Sequence, residues 1–208
     1  MEEEREHARL NEKKWDLRAE TYDKWSHRFY FRFTQKRVVS LLNLQENQCF
    51  LDMGCGTGWA VRYAASLVQN KGKFYGIDIS SRMIEEAEKN CGGCENIYFY
   101  KADAAALPFE GDFFDFIICT NSFHHYFSPS KVLDEVYRVL KPRGKIYILE
   151  LTADGFIMKM VDKRKKEREF VKHYSTQGYK TLFAEARLNY ISSKLITPPV
   201  KVHIAAKK

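Results

Sequence analysis

A chain of 208 residues with 45% hydrophobic, 14% aromatic and 29% charged residues has the size and composition of one compact α/β domain, which excludes wholesale disorder. Its net charge of +7 is uneven: residues 1–150 sum to −1 and residues 151–208 to +8, so the basic excess belongs to the C-terminal quarter rather than to a chain-wide nucleic-acid surface. No apolar run approaches the roughly 18 to 20 residues that span a bilayer, and the acidic opening MEEEREHARLNEKK resembles neither a signal nor a transit peptide, so a cytoplasmic protein is expected.

Trp15, Ala19, Tyr22, Trp25 and Phe29 come first in chain order, spaced as one stripe of a single helix. From residue 49 strand and helix signals alternate. Apolar or β-branched runs at Cys49–Met53, Lys73–Ile79, Ile97–Lys101, Phe114–Thr120 and Lys145–Leu151 predict strands, and Gly58–Gln69, Ser81–Asn90 and Ser128–Lys141 predict the helices between them. In the last helix Ser128 is placed to cap, Pro129 takes the first position, Val132, Leu133, Val136, Val139 and Leu140 form an apolar face, and Pro142 stops it. Such repetition predicts a doubly wound α/β fold with a mostly parallel sheet and helices on both faces. Residues 156–173 read as a basic helix and 176–188 as another. Tyr190–Ile196 and Val200–Ala205, parted only by Pro198-Pro199, are too close for a helical crossover and predict an antiparallel pair. One domain is expected: covering helices over 1–40, a core over 45–151, a basic cap region over 152–190 and a terminal strand pair over 190–206.

The five cysteines do not form a disulfide pattern, because the count is odd and Cys49, Cys55 and Cys119 fall in or beside strand-like runs. Cys91 and Cys94 make one C-G-G-C without a second pair at ligand spacing, so a Gly-rich turn with two reduced thiols is expected and no metal.

The densest chemical signal is Leu51-Asp52-Met53-Gly54-Cys55-Gly56-Thr57-Gly58-Trp59, a strand running into alternate glycines and then a helix. Glycine there lets the chain turn sharply and lets backbone approach a ligand. Trp59 replaces the last glycine of a dinucleotide fingerprint, and no Lys follows Gly58 as a phosphate loop requires. The loop is therefore shaped for a ligand without a pyrophosphate. Asp78 ends the second strand, where a carboxylate can accept from both hydroxyls of a ribose, and Asp103 ends the third. With Asp52 and Thr120-Asn121-Ser122, four successive strands carry polar groups at the carboxyl edge, where doubly wound sheets bind ligands.

These residues resemble the class I S-adenosylmethionine-dependent methyltransferases, and within them the ubiquinone/menaquinone-biosynthesis C-methyltransferase-like group. The resemblance rests on LDMGCGTG (51–58), GIDIS (76–80), KADAAALPF (101–109), FDFIICTNSFHHY (114–126) and EVYRVLKPRGKIYILE (135–150), with WDLRAETYDKW similar to that group's cofactor-covering helix. It implies a Rossmann-like sheet of seven strands, the last antiparallel, and S-adenosylmethionine as cofactor. It further implies that Gly54, Gly56 and Gly58 pass beneath the methionine part, with Gly54 and Cys55 offering backbone groups and Asp52 beside them. Asp78 would hold the ribose, Ile79 and Met83 would pack on the adenine, and Asp103 with Ala104 would read its edge. Asn121 would lie near the sulfonium, and Tyr22 would cover the site.

A sulfonium methyl is already activated, so alignment of the acceptor is the main requirement, and a base is needed only where the acceptor must lose a proton. His124, His125 and Tyr126 follow the fourth strand on the acceptor side and are the candidates. Two adjacent histidines make a poor metal pair without further ligands in register. The N/D-P-P-Y of amide and nucleobase N-methyltransferases is absent, and Asn121-Ser122-Phe123-His124 stands in its place. A small-molecule acceptor is therefore expected. The alternatives are RNA or protein methylation through the basic C-terminal part, or a cofactor-binding protein without activity. Lys163, Arg164, Lys165 and Lys166 mark where RNA, an anionic surface or an acidic substrate would be attracted.

Overall fold

The structure, a computed structural model, describes residues 2–22, 28–154 and 171–208. Helices α1 (Glu2–Asp16), α2 (Ala19–Tyr22) and α3 (Arg28–Ser40) precede strand β1 (Gln48–Met53). Then follow α4 (Trp59–Leu67), β2 (Gly72–Asp78), α5 (Ser81–Cys91), β3 (Ile97–Lys101) and β4 (Phe114–Thr120). A 3-10 turn (Phe123–His125), α6 (Pro129–Val139), β5 (Leu140–Leu151), α7 (Thr176–Glu185), β6 (Asn189–Thr197) and β7 (Val200–Ala206) complete the chain. The seven strands form one sheet in the order β3-β2-β1-β4-β5-β7-β6. β1 to β5 pair in parallel, and β7 runs antiparallel to both β5 and β6. Both parts of the expected architecture, parallel core and closing antiparallel pair, are present.

Successive residues of a strand face opposite sides, and the two cores follow that alternation. Leu51, Met53, Ile117, Cys119, Ile146 and Ile148 pack with Val132, Leu133 and Val136 of α6 and with Tyr179 and Phe183 of α7. Phe50, Phe74, Ile118, Tyr147 and Leu149 pack with Val38 and Val39 of α3 and with Ala60, Val61, Ala64 and Ala65 of α4. Strand order reverses between β1 and β4, which opens a crevice at the carboxyl ends of these strands.

Four expectations change. The N-terminal stripe is not one helix: the chain turns at Leu17-Arg18, and Phe29 lies exposed on a separate helix, while Trp25 falls outside the described residues. Ser128 precedes α6, but its side chain makes no capping hydrogen bond; Pro129 at the first turn does the starting. β5 begins at Leu140 rather than Lys145, because Leu140 pairs with Phe114 before a register shift carries the ladder on to Lys145 opposite Phe116. Residues 171–175 are not helical, and the rest of the basic segment, with Lys163, Arg164, Lys165 and Lys166, lies outside the described residues. Cys91 ends α5 and Gly92 caps it in the left-handed region; all five cysteines are free thiols.

Candidate active site

The glycine turn forms the floor of the crevice. The Gly54 and Cys55 amides both donate to the Ile77 carbonyl, at 2.8 and 2.9 Å, and the Cys55 carbonyl accepts from the Gly58 amide at 3.0 Å. Of the backbone groups that Gly54 and Cys55 were expected to offer a ligand, the two amides are thus spent on tying the turn to β2. Gly54 is required sterically: at φ +72° a side chain is strained, and a Cβ would fall 2.1 Å from Ser122 Oγ. Gly58, also at positive φ, packs where a Cβ would meet the Phe99 ring at 2.6 Å, so it serves helix-to-sheet packing and lies off the cavity wall.

Asp78 organises the middle. Its Oδ2 accepts from the Gly56 amide and its Oδ1 from the Ser80 amide, both at 3.0 Å. A carboxylate oxygen has a second lone pair to offer, so both oxygens retain capacity for hydroxyl donors. Burial pushes its pKa up to about 6, opposed by these amides and reinforced by the charge of Asp16. At neutral pH it is ionised. Asp103, on the cavity wall, accepts from the Ala105 amide through Oδ1 at 2.9 Å, and among the described residues no hydrogen bond reaches its Oδ2.

These groups surround a cavity at the carboxyl ends of the strands, where a doubly wound sheet takes its ligand. Gly54, Cys55, Gly56, Asp78, Ile79, Met83, Asp103, Ala104 and Asn121 line it from the sheet, and Tyr22 lines it from the N-terminal helices. Tyr22 stacks on Phe31 at 5.9 Å and meets Trp15 edge-on at 6.2 Å. Asn121 sits at φ +54°, its amide N–H bound to the Leu149 carbonyl, and its buried Nδ2 lacks a partner among the described residues. A buried donor without a partner calls for an explanation, and its place on the cavity wall makes Asn121 a candidate to meet a ligand.

Asp52 differs from its expected place. It is fully buried behind the turn, off the cavity wall, with neither oxygen hydrogen-bonded among the described residues. It occupies the β1 position where the Phe50 alternation calls for an apolar residue. Burial, then the Asp78 charge, pushes its pKa up to about 8, so at neutral pH it holds a proton.

The acceptor-side trio also divides. His125 and Tyr126 line the cavity; His124 does not. Burial, and then the neighbouring His124 and Lys14, pulls the His125 pKa down to about 2, so this ring is neutral and takes up a proton poorly. Burial likewise keeps the Tyr126 hydroxyl protonated, within 3.4 Å of Ser122 Oγ. His124 turns away: its Nδ1 lies 2.7 Å from Glu150 Oε2, and its backbone carbonyl accepts from the Lys172 amide at 3.1 Å. His173 comes beside it, ring centroids 4.9 Å apart. Glu150 and His173 escaped sequence reading. The signal for Glu150 was the register of β5, in which Ile146, Ile148 and Glu150 share one face and the third breaks an apolar run.

Helix α1 closes the crevice with polar contacts and buries none of its own residues. Asp16 Oδ1 accepts from Ser80 Oγ at 2.5 Å, Asn11 Nδ2 donates to the His125 carbonyl at 3.1 Å, and Glu4 pairs with Lys131 at 2.7 Å. Glu12 pairs with Lys101, and the Trp15 ring meets His125 edge-on at 5.3 Å.

Residues 44–187 match the family model described as a methyltransferase domain. The chain is 28% identical over 199 residues to the ubiquinone/menaquinone biosynthesis C-methyltransferase of Wigglesworthia glossinidia brevipalpis, covering 94% of this chain and 74% of that one. It is 30% identical over 198 residues to a demethylmenaquinone methyltransferase of Staphylococcus epidermidis, covering 84% and 82%. Among solved structures, a chain from the complex of the Haloferax volcanii Trm112 methyltransferase activator with a methyltransferase superposes with TM-score 0.81 at 18% identity, covering 92% of this chain and 96% of that one. An Aquifex aeolicus SAM-dependent methyltransferase superposes with TM-score 0.75 at 22% identity, covering 93% and 98%. At these identities the structures speak for the fold alone.

Proposed function

This chain belongs to the class I S-adenosylmethionine-dependent methyltransferases, in the ubiquinone/menaquinone C-methyltransferase-like group, and on that premise we propose that it methylates a small hydroxylated aromatic molecule of the quinol type. The observation that carries the acceptor is the lining of the cavity. Trp15, Tyr22, Phe31, His125 and Tyr126 are all among the groups that line it, and rings of this kind hold a flat apolar molecule at low entropic cost. The relatives named for demethylmenaquinone and ubiquinone chemistry favour the same class.

The residues fit the cofactor. Asp78 has two ionised oxygens, each already fixed by one amide, to receive the ribose hydroxyls. Ile79 and Met83 supply the apolar wall for the adenine, and Asp103 Oδ2 with Ala104 meets its edge. Gly56, whose missing side chain leaves open space up to Tyr22, would make room for the methionine part, with Asn121 Nδ2 as the donor for the reacting end and Tyr22 as its cover. Bound there, S-adenosylmethionine supplies an activated sulfonium methyl for direct in-line transfer. The protein's share is alignment and exclusion of water: the aromatic walls hold the acceptor, and α1 shuts the crevice over it. Methyl transfer to a quinol also releases one proton. Burial holds the His125 ring neutral and the Tyr126 hydroxyl protonated, so on this reading the two orient an acceptor hydroxyl and the released proton passes to water.

The test is transfer of labelled methyl from S-adenosylmethionine by the purified chain, offered a short-chain demethylated naphthoquinol, total RNA and undigested protein in parallel. Label in the quinol is expected. Label confined to RNA or protein overturns the proposed acceptor.

A further inference from the structure

Outside the cofactor cavity, three side chains with metal-binding atoms converge from separate parts of the chain: His124 from the 3-10 turn, Glu150 from the end of β5 and His173 from the irregular segment 171–175. We infer that His124, Glu150 and His173 form a site for a divalent transition-metal ion of the zinc or cobalt type.

The donor set is the first reason. Two imidazoles and one carboxylate suit such ions, and three protein ligands leave a position open for water or another oxygen ligand. The spacing is the second. One ligand atom from each residue lies within 4.8 Å of the others, and His124 Nδ1 already stands 2.7 Å from Glu150 Oε2. A tetrahedral ion with ligands near 2.1 Å needs ligand atoms about 3.4 Å apart. Small side-chain rotations supply that change, and His173 sits on non-regular backbone that accommodates them. Burial is the third reason. Glu150 is 1% exposed and His173 8%, and Glu150 faces the apolar side of the sheet with Ile146 and Ile148. Among the described residues its one ion-pair partner is His124; Lys201, opposite it on β7, pairs instead with Asp154. A buried carboxylate that faces imidazoles, with no Lys or Arg against it among the described residues, offers its negative charge to a divalent ion. The backbone braces the set: the Lys172 amide donates to the His124 carbonyl, which holds the turn and the segment carrying His173 together. The adjacent histidines lacked further ligands in sequence; folding brings two.

The site stands one residue from the cavity, since the His124 ring lies 4.0 Å from that of His125. An ion there would tie segment 171–175 to the acceptor-side turn and fix the wall that His125 forms.

The test is equilibrium dialysis of the chelator-treated full chain against Zn²⁺, with Co²⁺ as an optical probe. One equivalent of Zn²⁺ and visible d–d absorption from Co²⁺ are expected. His173→Ala and Glu150→Gln should each weaken Zn²⁺ retention at least tenfold, while affinity for S-adenosylhomocysteine changes less than twofold in His173→Ala. If Glu150→Gln does not fold, His173→Ala alone decides. Failure of the unaltered chain to retain stoichiometric Zn²⁺, or retention unchanged by His173→Ala, overturns the site. Retention that survives His173→Ala and falls in His7→Ala overturns it equally, by placing the ion elsewhere. None of these outcomes depends on methyl transfer, so the site and the proposed acceptor stand or fall separately.

Discussion

Replacing Asp52 by Asn should stabilise the protein, and by more as the pH rises. Asp52 is fully buried without a hydrogen-bond partner among the described residues, and its pKa is pushed up from 3.8 to about 8 by burial first and by Asp78 second. The unfolded chain releases this proton near pH 4, while the folded chain keeps it until about pH 8. Between those values the folded state binds more protons than the unfolded one, so stability falls with rising pH. A pKa difference of one unit is worth about 1.4 kcal/mol, so by pH 7 the accumulated loss is as much as about 4 kcal/mol. Asn keeps the shape and cannot ionise. Urea unfolding of both proteins at pH 4, 5.5, 7 and 8, without cofactor, should give nearly equal stabilities at pH 4 and a gap of a few kcal/mol in favour of Asp52→Asn at pH 7 to 8. A gap that does not widen with pH would refute the claim that Asp52 is buried with a proton.

Asp78→Ala should weaken S-adenosylhomocysteine binding about 100-fold or more by calorimetry, since hydrogen bonds to a charged acceptor are worth about 1.5 to 3 kcal/mol each. In the unaltered protein that affinity should fall as the pH drops below about 6, where the Asp78 carboxylate takes up its proton and loses an acceptor position; a flat profile from pH 5 to 7.5 would count against the ribose assignment. Gly54→Ala puts a Cβ 2.1 Å from Ser122 Oγ at φ +72° and should lose roughly 1 to 3 kcal/mol of stability together with most cofactor affinity, read by thermal shift with and without ligand. Asp16→Asn weakens the contact to Ser80 that holds α1 down, and should raise the cofactor dissociation rate a few-fold in stopped flow. Because α1 is attached by exposed ion pairs at Glu4 and Glu12, added salt should raise the same rate in the unaltered protein.

What was legible in the sequence is what local chemistry encodes. β3 and β4 fall on the apolar and aromatic runs that marked them, each ending at a polar residue, Lys101 and Thr120, at the carboxyl edge. The glycine turn and Asp78 were readable because backbone conformation and a strand-end carboxylate are properties of short segments. The break between α1 and α2 was not. The stripe from Trp15 to Tyr22 keeps helical spacing across Leu17-Arg18, and the bend is imposed by the crevice that α1 must bridge, where Asp16 reaches Ser80 and Asn11 reaches His125. The separation of His124 from His125 was equally hidden. In sequence they are one pair, but the 3-10 turn sends one ring to the cavity and the other to Glu150. Glu150 and His173 meet His124 only through the fold.

Asp52 and Glu150 make the same point about how this sheet is used. Each stands in a run of alternating apolar residues near the carboxyl end of its strand, and they face opposite sides: Asp52 follows Phe50 into one core, and Glu150 follows Ile148 into the other. Packing alone would favour an aliphatic residue at both positions, since a buried carboxyl group lowers stability unless it is protonated or paired. The two acids meet that cost differently. Asp52 is held as the neutral acid behind the loop that faces the cofactor, where an arriving positive charge would favour release of its proton. Glu150 is held against two imidazoles on the acceptor side. The first group would therefore give up its proton when a cationic ligand binds, and the second is where the inferred cation would sit. Calorimetry of S-adenosylmethionine binding at pH 7 in buffers of different ionisation enthalpy separates them: proton release should accompany binding in the unaltered protein, vanish in Asp52→Asn and persist in Glu150→Gln.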